Sequence, residues 1–121
     1  MSFLALWAAV GVLGGVGALA RFAIDALVSS ATGARFPLGT LLINLSGSLV
    51  LGVLVGLALS GDAYLLAGTA VIGSYTTFST WMLESHRLAE DGRRWLLAAN
   101  VALSLVLGVG AAAVGRLLGG G

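Results

Sequence analysis

The chain reads as four long apolar runs separated by short polar punctuation. The first run extends from Phe3 to about Ala20 and continues in helical character to Ser29. The second extends from about Leu38 to Leu59, the third from Ala63 to about Glu84, and the fourth from Trp95 to Leu118. Each is close to the roughly 20 residues that cross a hydrocarbon core as an α-helix. None alternates with the period of a membrane β-strand, and helices satisfy their own backbone groups in lipid. The pattern therefore predicts an all-α membrane protein, one domain over residues 1–121, with spans at about 3–29, 38–59, 63–84 and 95–118. The connections fit this reading. Ser30 to Arg35 is small and polar, Pro37 suits a first helical turn, and Ser60-Gly61-Asp62 is a tight turn. Glu84 to Arg94 is the one strongly charged segment. The Ala18-Leu19-Ala20 stretch looks like a leader cleavage site, but no positive residue precedes Phe3 and the apolar run is long for a leader. The first run is therefore expected to remain in the protein.

Composition sharpens the picture. Of the 121 residues, 59% are hydrophobic and 9% charged, and the mean hydropathy is +1.06. A soluble domain carries about 25% charged residues, so the solvent of this chain must be largely lipid. Net charge is +1, which gives no footprint for nucleic acid. With no cysteine there is neither a disulfide framework nor a cysteine-ligated metal. The 19 glycines include two pairs at four-residue spacing, Gly11/Gly15 and Gly52/Gly56. Such pairs let helix backbones approach closely in lipid, either inside one subunit or between two.

Helix parity puts both termini and the second loop on one side, with Arg116. The first and third loops lie on the other side, with Arg35, Arg87, Arg93 and Arg94, and Arg21 lies near that side. The positive-inside rule leans toward cytoplasmic first and third loops, and the small difference leaves insertion both ways open.

The third run is interrupted. Gly73 to Trp81 holds five hydroxyl residues, Ser74, Thr76, Thr77, Ser79 and Thr80, together with Tyr75. Glycine and β-branched threonine weaken a helix, and irregular backbone at membrane depth survives only when buried in protein or lining a cavity. Such a break frees carbonyls for a cation and N–H groups for an anion; the plainer alternative is a kink whose hydroxyls are satisfied internally. Asn44 adds an amide to the second run, as an interhelical clamp or as a donor in a path. Asn100, Ser104 and Gly108 form a narrow stripe on one face of the fourth. Arg21 and Asp25 are spaced to pair on one helix, or Arg21 lends positive charge to a pore mouth. Glu84 lies at the membrane edge. A single histidine at that edge, no phosphate loop and no acidic–histidine cluster argue against an enzyme. The pattern is neutral donors along a membrane path without an acidic carrier at mid-depth, which suits passive conduction of a small anion.

These residues carry a resemblance. Gly14-Gly15-Val16-Gly17-Ala18 with Arg21, Pro37-Leu38-Gly39-Thr40 leading to Asn44, Gly47 and Ser48, and Thr76-Thr77-Phe78-Ser79-Thr80 with Glu84 resemble the CrcB/Fluc family of fluoride channels over nearly the whole chain. The resemblance implies an antiparallel, dual-topology dimer in the cell membrane, with two fluoride pores and a structural Na+ at its centre. It implies that Gly73 and Thr76 give backbone carbonyls to that sodium. Asn44, Phe78, Ser79, Thr80, Trp81, Asn100 and Ser104 would line the fluoride path, and Arg21 and Glu84 would shape the vestibule. The sequence departs from the family pattern at Trp81, where a phenylalanine is usual, at Ser74-Tyr75, and at Asn100, where a tyrosine is common. The expected partners are fluoride, the bilayer and a second copy of the chain, or a paralogue in a heterodimer with one degraded pore. A four-span drug exporter is the remaining alternative; it would want an acid deep in the first span, which has none before Asp25.

Overall fold

The computed structural model describes residues 1–33 and 36–121; Ala34 and Arg35, and with them the expected end of the first loop and one arginine of the charge asymmetry, lie outside the described residues. Helix α1 is Phe3–Thr32 and α2 is Leu38–Gly56. The third span is built from pieces: a short α3 (Gly61–Tyr64), a π-helical segment (Leu65–Ile72), a single turn α4 (Gly73–Tyr75), and α5 (Phe78–Glu90). Helix α6 is Arg94–Leu118. The described residues contain no strand. Three helices, α1, α2 and α6, are individually long and apolar enough to cross a membrane.

The helix ends follow local chemistry. Ser2 caps α1 by accepting from the Ala5 N–H. The helix runs on through Ser30 and Thr32, whose hydroxyls bond back to the carbonyls of Leu27 and Val28. The expected loop at Ser30 therefore begins only at Gly33, whose φ of 78° a glycine adopts without strain.

Glycines set how closely the helices approach. On α2, a Cβ at Gly52 or Gly56 would meet the backbone carbonyls of Ala112 and Arg116; a Cβ at Gly115 or Gly119 would meet those of Leu49 and Val53. The α2–α6 pair, the most extensive helix contact in the fold, is thus a seam in which glycines on each helix admit carbonyls of the other. The Gly52/Gly56 pair is consumed inside the subunit, whereas Gly11 and Gly15 face open space. The π segment packs on α1, where the absent Cβ of Gly17 makes room for the Val71 carbonyl.

The apolar core is small: Leu41, Ile43, Ala70, Trp81 and Leu88. Many large apolar side chains point outward along α1 and α6, as lipid-facing helices require. The interior holds polar groups instead, with Thr40, Thr77, Ser85 and Asn100 all buried.

Candidate functional site: a broken helix clamped by an asparagine

The third span breaks between Tyr75 and Phe78. Thr76 has extended backbone (φ −76°, ψ 160°), as does Thr77 (φ −147°, ψ 123°), and α5 then starts afresh. Sequence reasoning placed the irregularity over Gly73 to Trp81; the structure confines it to these two threonines, with helix on either side.

Two residues hold the break open. The Asn44 amide Nδ2 donates to the Thr77 carbonyl at 2.9 Å, and its Oδ1 accepts from the Thr77 N–H at 2.9 Å. Thr77 in turn caps α5, its Oγ1 accepting from the Thr80 N–H at 3.2 Å. These bonds have a consequence for the preceding turn. In a continuous helix the Thr77 N–H would bond to the Gly73 carbonyl and the Thr80 N–H to the Thr76 carbonyl. Both donors are diverted, so the carbonyls of Gly73 and Thr76 lose their helical partners, as do those of Ser74 and Tyr75 at the same helix end. A hard cation such as sodium takes oxygen ligands, and a pair of freed carbonyls supplies that donor type. On the other side of the break, the first N–H groups of α5, at Phe78 and Ser79, are the unsatisfied donors of a helix N-terminus.

Gly47 lets this arrangement dock on α2, since a Cβ there would meet the Thr76 Cγ2. Tyr75 is tied to the same helix: Ser46 Oγ donates to the Ile43 carbonyl at 3.1 Å, which leaves the Tyr75 hydroxyl to donate to Ser46 Oγ at 2.9 Å.

The break borders a groove of ≈ 420 Å³ whose walls include Asn44, Gly47, Ser48, Gly73, Thr76, Thr77, Phe78 and Trp81. A second hollow of ≈ 190 Å³, lined by Arg21, Phe22, Asp25, Thr40, Ile43, Thr77 and Thr80, reaches Thr77 as well. Four of the expected pathway and cation residues on the third span and Asn44 therefore meet at one groove. Thr80 and Arg21 share the second hollow. Ser79 sits 3.4 Å from Thr77 Oγ1. Glu84 lies beside Thr40, and also lines a charged hollow with Arg87, Asp91 and Arg93 at the end of α5.

The two aromatic residues diverge. Phe78 is 70% exposed, whereas Trp81 is 8% exposed, and the rings meet edge to face with centroids 5.6 Å apart. The indole N–H of Trp81 donates to the Asn100 carbonyl at 3.2 Å. Asn100, 1% exposed, donates from Nδ2 to Ser85 Oγ at 2.8 Å, and Ser85 donates to the Trp81 carbonyl at 2.8 Å. Trp81 and Asn100 thus bind each other rather than presenting their donors to the groove. Ser104 Oγ, Arg21 Nε, Glu84 Oε1 and Asn100 Oδ1 are buried without a hydrogen-bond partner among the described residues. The Arg21–Asp25 pair, one of the two readings of that spacing, does not form: the acid–base contact found among the described residues joins the exposed His86 and Glu90 side chains at 3.4 Å. Asp25 instead packs against Gly39 in the first turn of α2, where a carboxylate complements the helix dipole.

Sequence reasoning missed Thr77 as cap and clamp partner, Ser85 as the link to Asn100, and Thr40 as the neighbour of Glu84. Thr77 had a signal in the extended Thr76-Thr77 pair just before α5. Ser85 had none, because its importance depends on which helix faces it.

Several long apolar helices and a span broken at two threonines over a groove define a multi-pass helical membrane protein. The profile of the family described as "CrcB-like protein, Camphor Resistance (CrcB)" matches residues 8–116. The fluoride-specific ion channel FluC 2 of Mycolicibacterium paratuberculosis is 52% identical over 118 residues, covering 98% of this chain and 97% of the relative. FluC 2 of Mycobacterium tuberculosis is 49% identical over 112 residues, covering 93% and 89%. FluC 1 of Symbiobacterium thermophilum is 40% identical over 121 residues, covering 95% and 98%. The chain belongs to the CrcB family.

Proposed function

We propose that this protein is a multi-pass channel of the cell membrane that conducts fluoride passively and selectively out of the cytoplasm, lowering its concentration there. The observation that carries this is the break at Thr76–Thr77, clamped by Asn44, in a chain with relatives named fluoride-specific ion channels over nearly its full length. Fluoride is small and strongly hydrated, so a pore must replace its water with donors. The candidates are the second hydrogen on Asn44 Nδ2, the hydroxyls of Ser79 and Thr80, the Phe78 and Ser79 N–H groups, and the positive edge of the Phe78 ring. Trp81 lines the groove beside them, the buried Ser104 hydroxyl is a further unpaired donor, and Arg21 and Glu84 flank the approach.

The groove at the break is open, and unpaired carbonyls cannot face hydrocarbon. This supports a second copy of the chain, packed antiparallel over the groove, as its cover. Gly73 and Thr76 from the two copies would then hold one sodium ion, whose charge would offset the cost of bringing anions into a low-dielectric path.

Purified protein reconstituted into liposomes should release fluoride and retain chloride when a potassium ionophore sets the potential. No fluoride release from this chain alone would overturn the homomeric reading and require a second, different subunit.

A further inference from the structure

The hydrogen bonds joining α5 to α6 form a closed and directed loop. Ser85 has one hydroxyl hydrogen, and it goes to the Trp81 carbonyl. Ser85 Oγ can therefore only accept from Asn100, which fixes the orientation of the Asn100 amide: Nδ2 toward Ser85, Oδ1 away. The Asn100 backbone carbonyl receives the Trp81 indole N–H, which closes the loop. All three side chains are buried, at 8% for Trp81, 5% for Ser85 and 1% for Asn100. Asn100 Oδ1 has no partner among the described residues. A bare acceptor repels an anion, the amide nitrogen is turned to Ser85, and Asn100 does not line the groove. One Nδ2 hydrogen goes to Ser85, which ties α6 to α5, and the register so set brings the Trp81 indole onto the Asn100 backbone carbonyl. Trp81 in turn meets Phe78 edge to face, at an interplanar angle of 76°, and Phe78 is the aromatic residue that projects from the groove wall.

We propose that Asn100 is a positioning residue for conduction: by tying α6 to α5 through Ser85, its amide sets the register that keeps the Trp81 indole on the Asn100 backbone carbonyl, and so holds the Trp81 ring against Phe78 at the groove. This rests on the fluoride-channel reading above. Asn100 touches neither Phe78 nor the ion; its effect travels through two bonds and one ring contact. Two properties follow. Breaking the Asn100–Ser85 bond from either end should have the same result, and breaking it from both ends should add nothing.

The test uses the full-length protein with Trp7→Phe and Trp95→Phe, both at exposed positions, so that Trp81 is the only tryptophan. Ser85→Ala, Asn100→Leu and the double variant are compared with this parent in liposomes. Fluoride efflux should fall about tenfold in each single variant, equivalent to about 1.4 kcal/mol of barrier, and no further in the double variant. Acrylamide quenching of Trp81 emission should rise in all three. If Asn100→Leu fails to elute as a folded species, Ser85→Ala, which keeps the asparagine, decides the matter. Efflux within twofold of the parent overturns the proposal. So does a loss of efflux with unchanged quenching, which would make Asn100 a direct ion contact. So do additive losses in the double variant. A parent that releases no fluoride while its Trp81 stays shielded removes the homomeric channel reading on which the proposal rests, and with it the proposal, leaving the loop as a packing device only.

Discussion

The side-chain amide of Asn44 exchanges two 2.9 Å hydrogen bonds with the backbone of Thr77, donating to its carbonyl and accepting from its N–H. The amide does for one residue what a neighbouring strand does for a ladder: it satisfies both backbone groups of an extended residue between two helices. This contact replaces the bond that the Thr77 N–H would otherwise give to the Gly73 carbonyl, and so frees that carbonyl.

Asn44→Leu should therefore destabilise the fold. The Thr77 N–H loses its partner at membrane depth, and an unsatisfied buried group costs about 1–3 kcal/mol. Asn44→Asp, as a carboxylate, keeps an acceptor for the Thr77 N–H but sets a charged oxygen against its carbonyl at membrane depth, so it should not rescue the loss. Thermal unfolding in detergent measures both. Equal midpoints for Asn44→Leu and the parent would show that the break stands without its clamp. Fluoride efflux should fall in both variants.

Gly47 and Thr76 should behave as a coupled pair, because a Cβ on Gly47 would meet the Thr76 Cγ2. Gly47→Ala alone should cost about 1–3 kcal/mol of stability by overpacking. Thr76→Ser removes the methyl group and should restore most of that loss. A double variant as unstable as the sum of the singles would mean that the two residues do not touch.

The glycine seam makes a positional prediction. Gly52→Val and Gly115→Val push side chains into the carbonyls of Ala112 and Leu49 and should separate α2 from α6, with large losses of folded yield. Gly11→Ala and Gly15→Ala point into open space and should leave yield and thermal midpoint of the isolated subunit unchanged. Size-exclusion profiles after mild heating compare the four. Aggregation of the α1 variants before the α2 and α6 variants would contradict the packing described.

If the freed carbonyls of Gly73 and Thr76 hold sodium, the folded protein should be stabilised by sodium and not by choline at equal ionic strength. Ligand linkage gives about 2.7 kcal/mol at a concentration one hundred times the dissociation constant. Thermal midpoints measured in the two salts, without any flux assay, decide this. Asn44→Leu, which releases the Thr77 N–H to return to the Gly73 carbonyl, should weaken the sodium effect. Identical midpoints in sodium and choline would remove the cation from the proposal.

The reach of the sequence is clear from particular residues. The apolar runs, the glycine spacing and the hydroxyl-rich stretch are local or periodic signals, and hydropathy at helical length is decisive in lipid. They determined an all-helical membrane protein with an interrupted third span, and the order of Arg21, Asn44 and Thr76 to Thr80 pointed to the family. The sequence did not reveal that the interruption narrows to Thr76 and Thr77, because Ser74 and Tyr75 are held in a helical turn by packing on α1 and by the Ser46 contact. Nor did it decide whether Asn44 clamps or conducts, whether Gly52 and Gly56 face inward or outward, or that Arg21 and Asp25 part company. Trp81 and Asn100 are 19 positions apart in the chain, and nothing local says that the indole donor of one is committed to the carbonyl of the other. Composition and period set which segments cross the membrane. Only the packing of α2, α5 and α6 decided which donors remain free, because a hydrogen bond between helices depends on the register at which they meet.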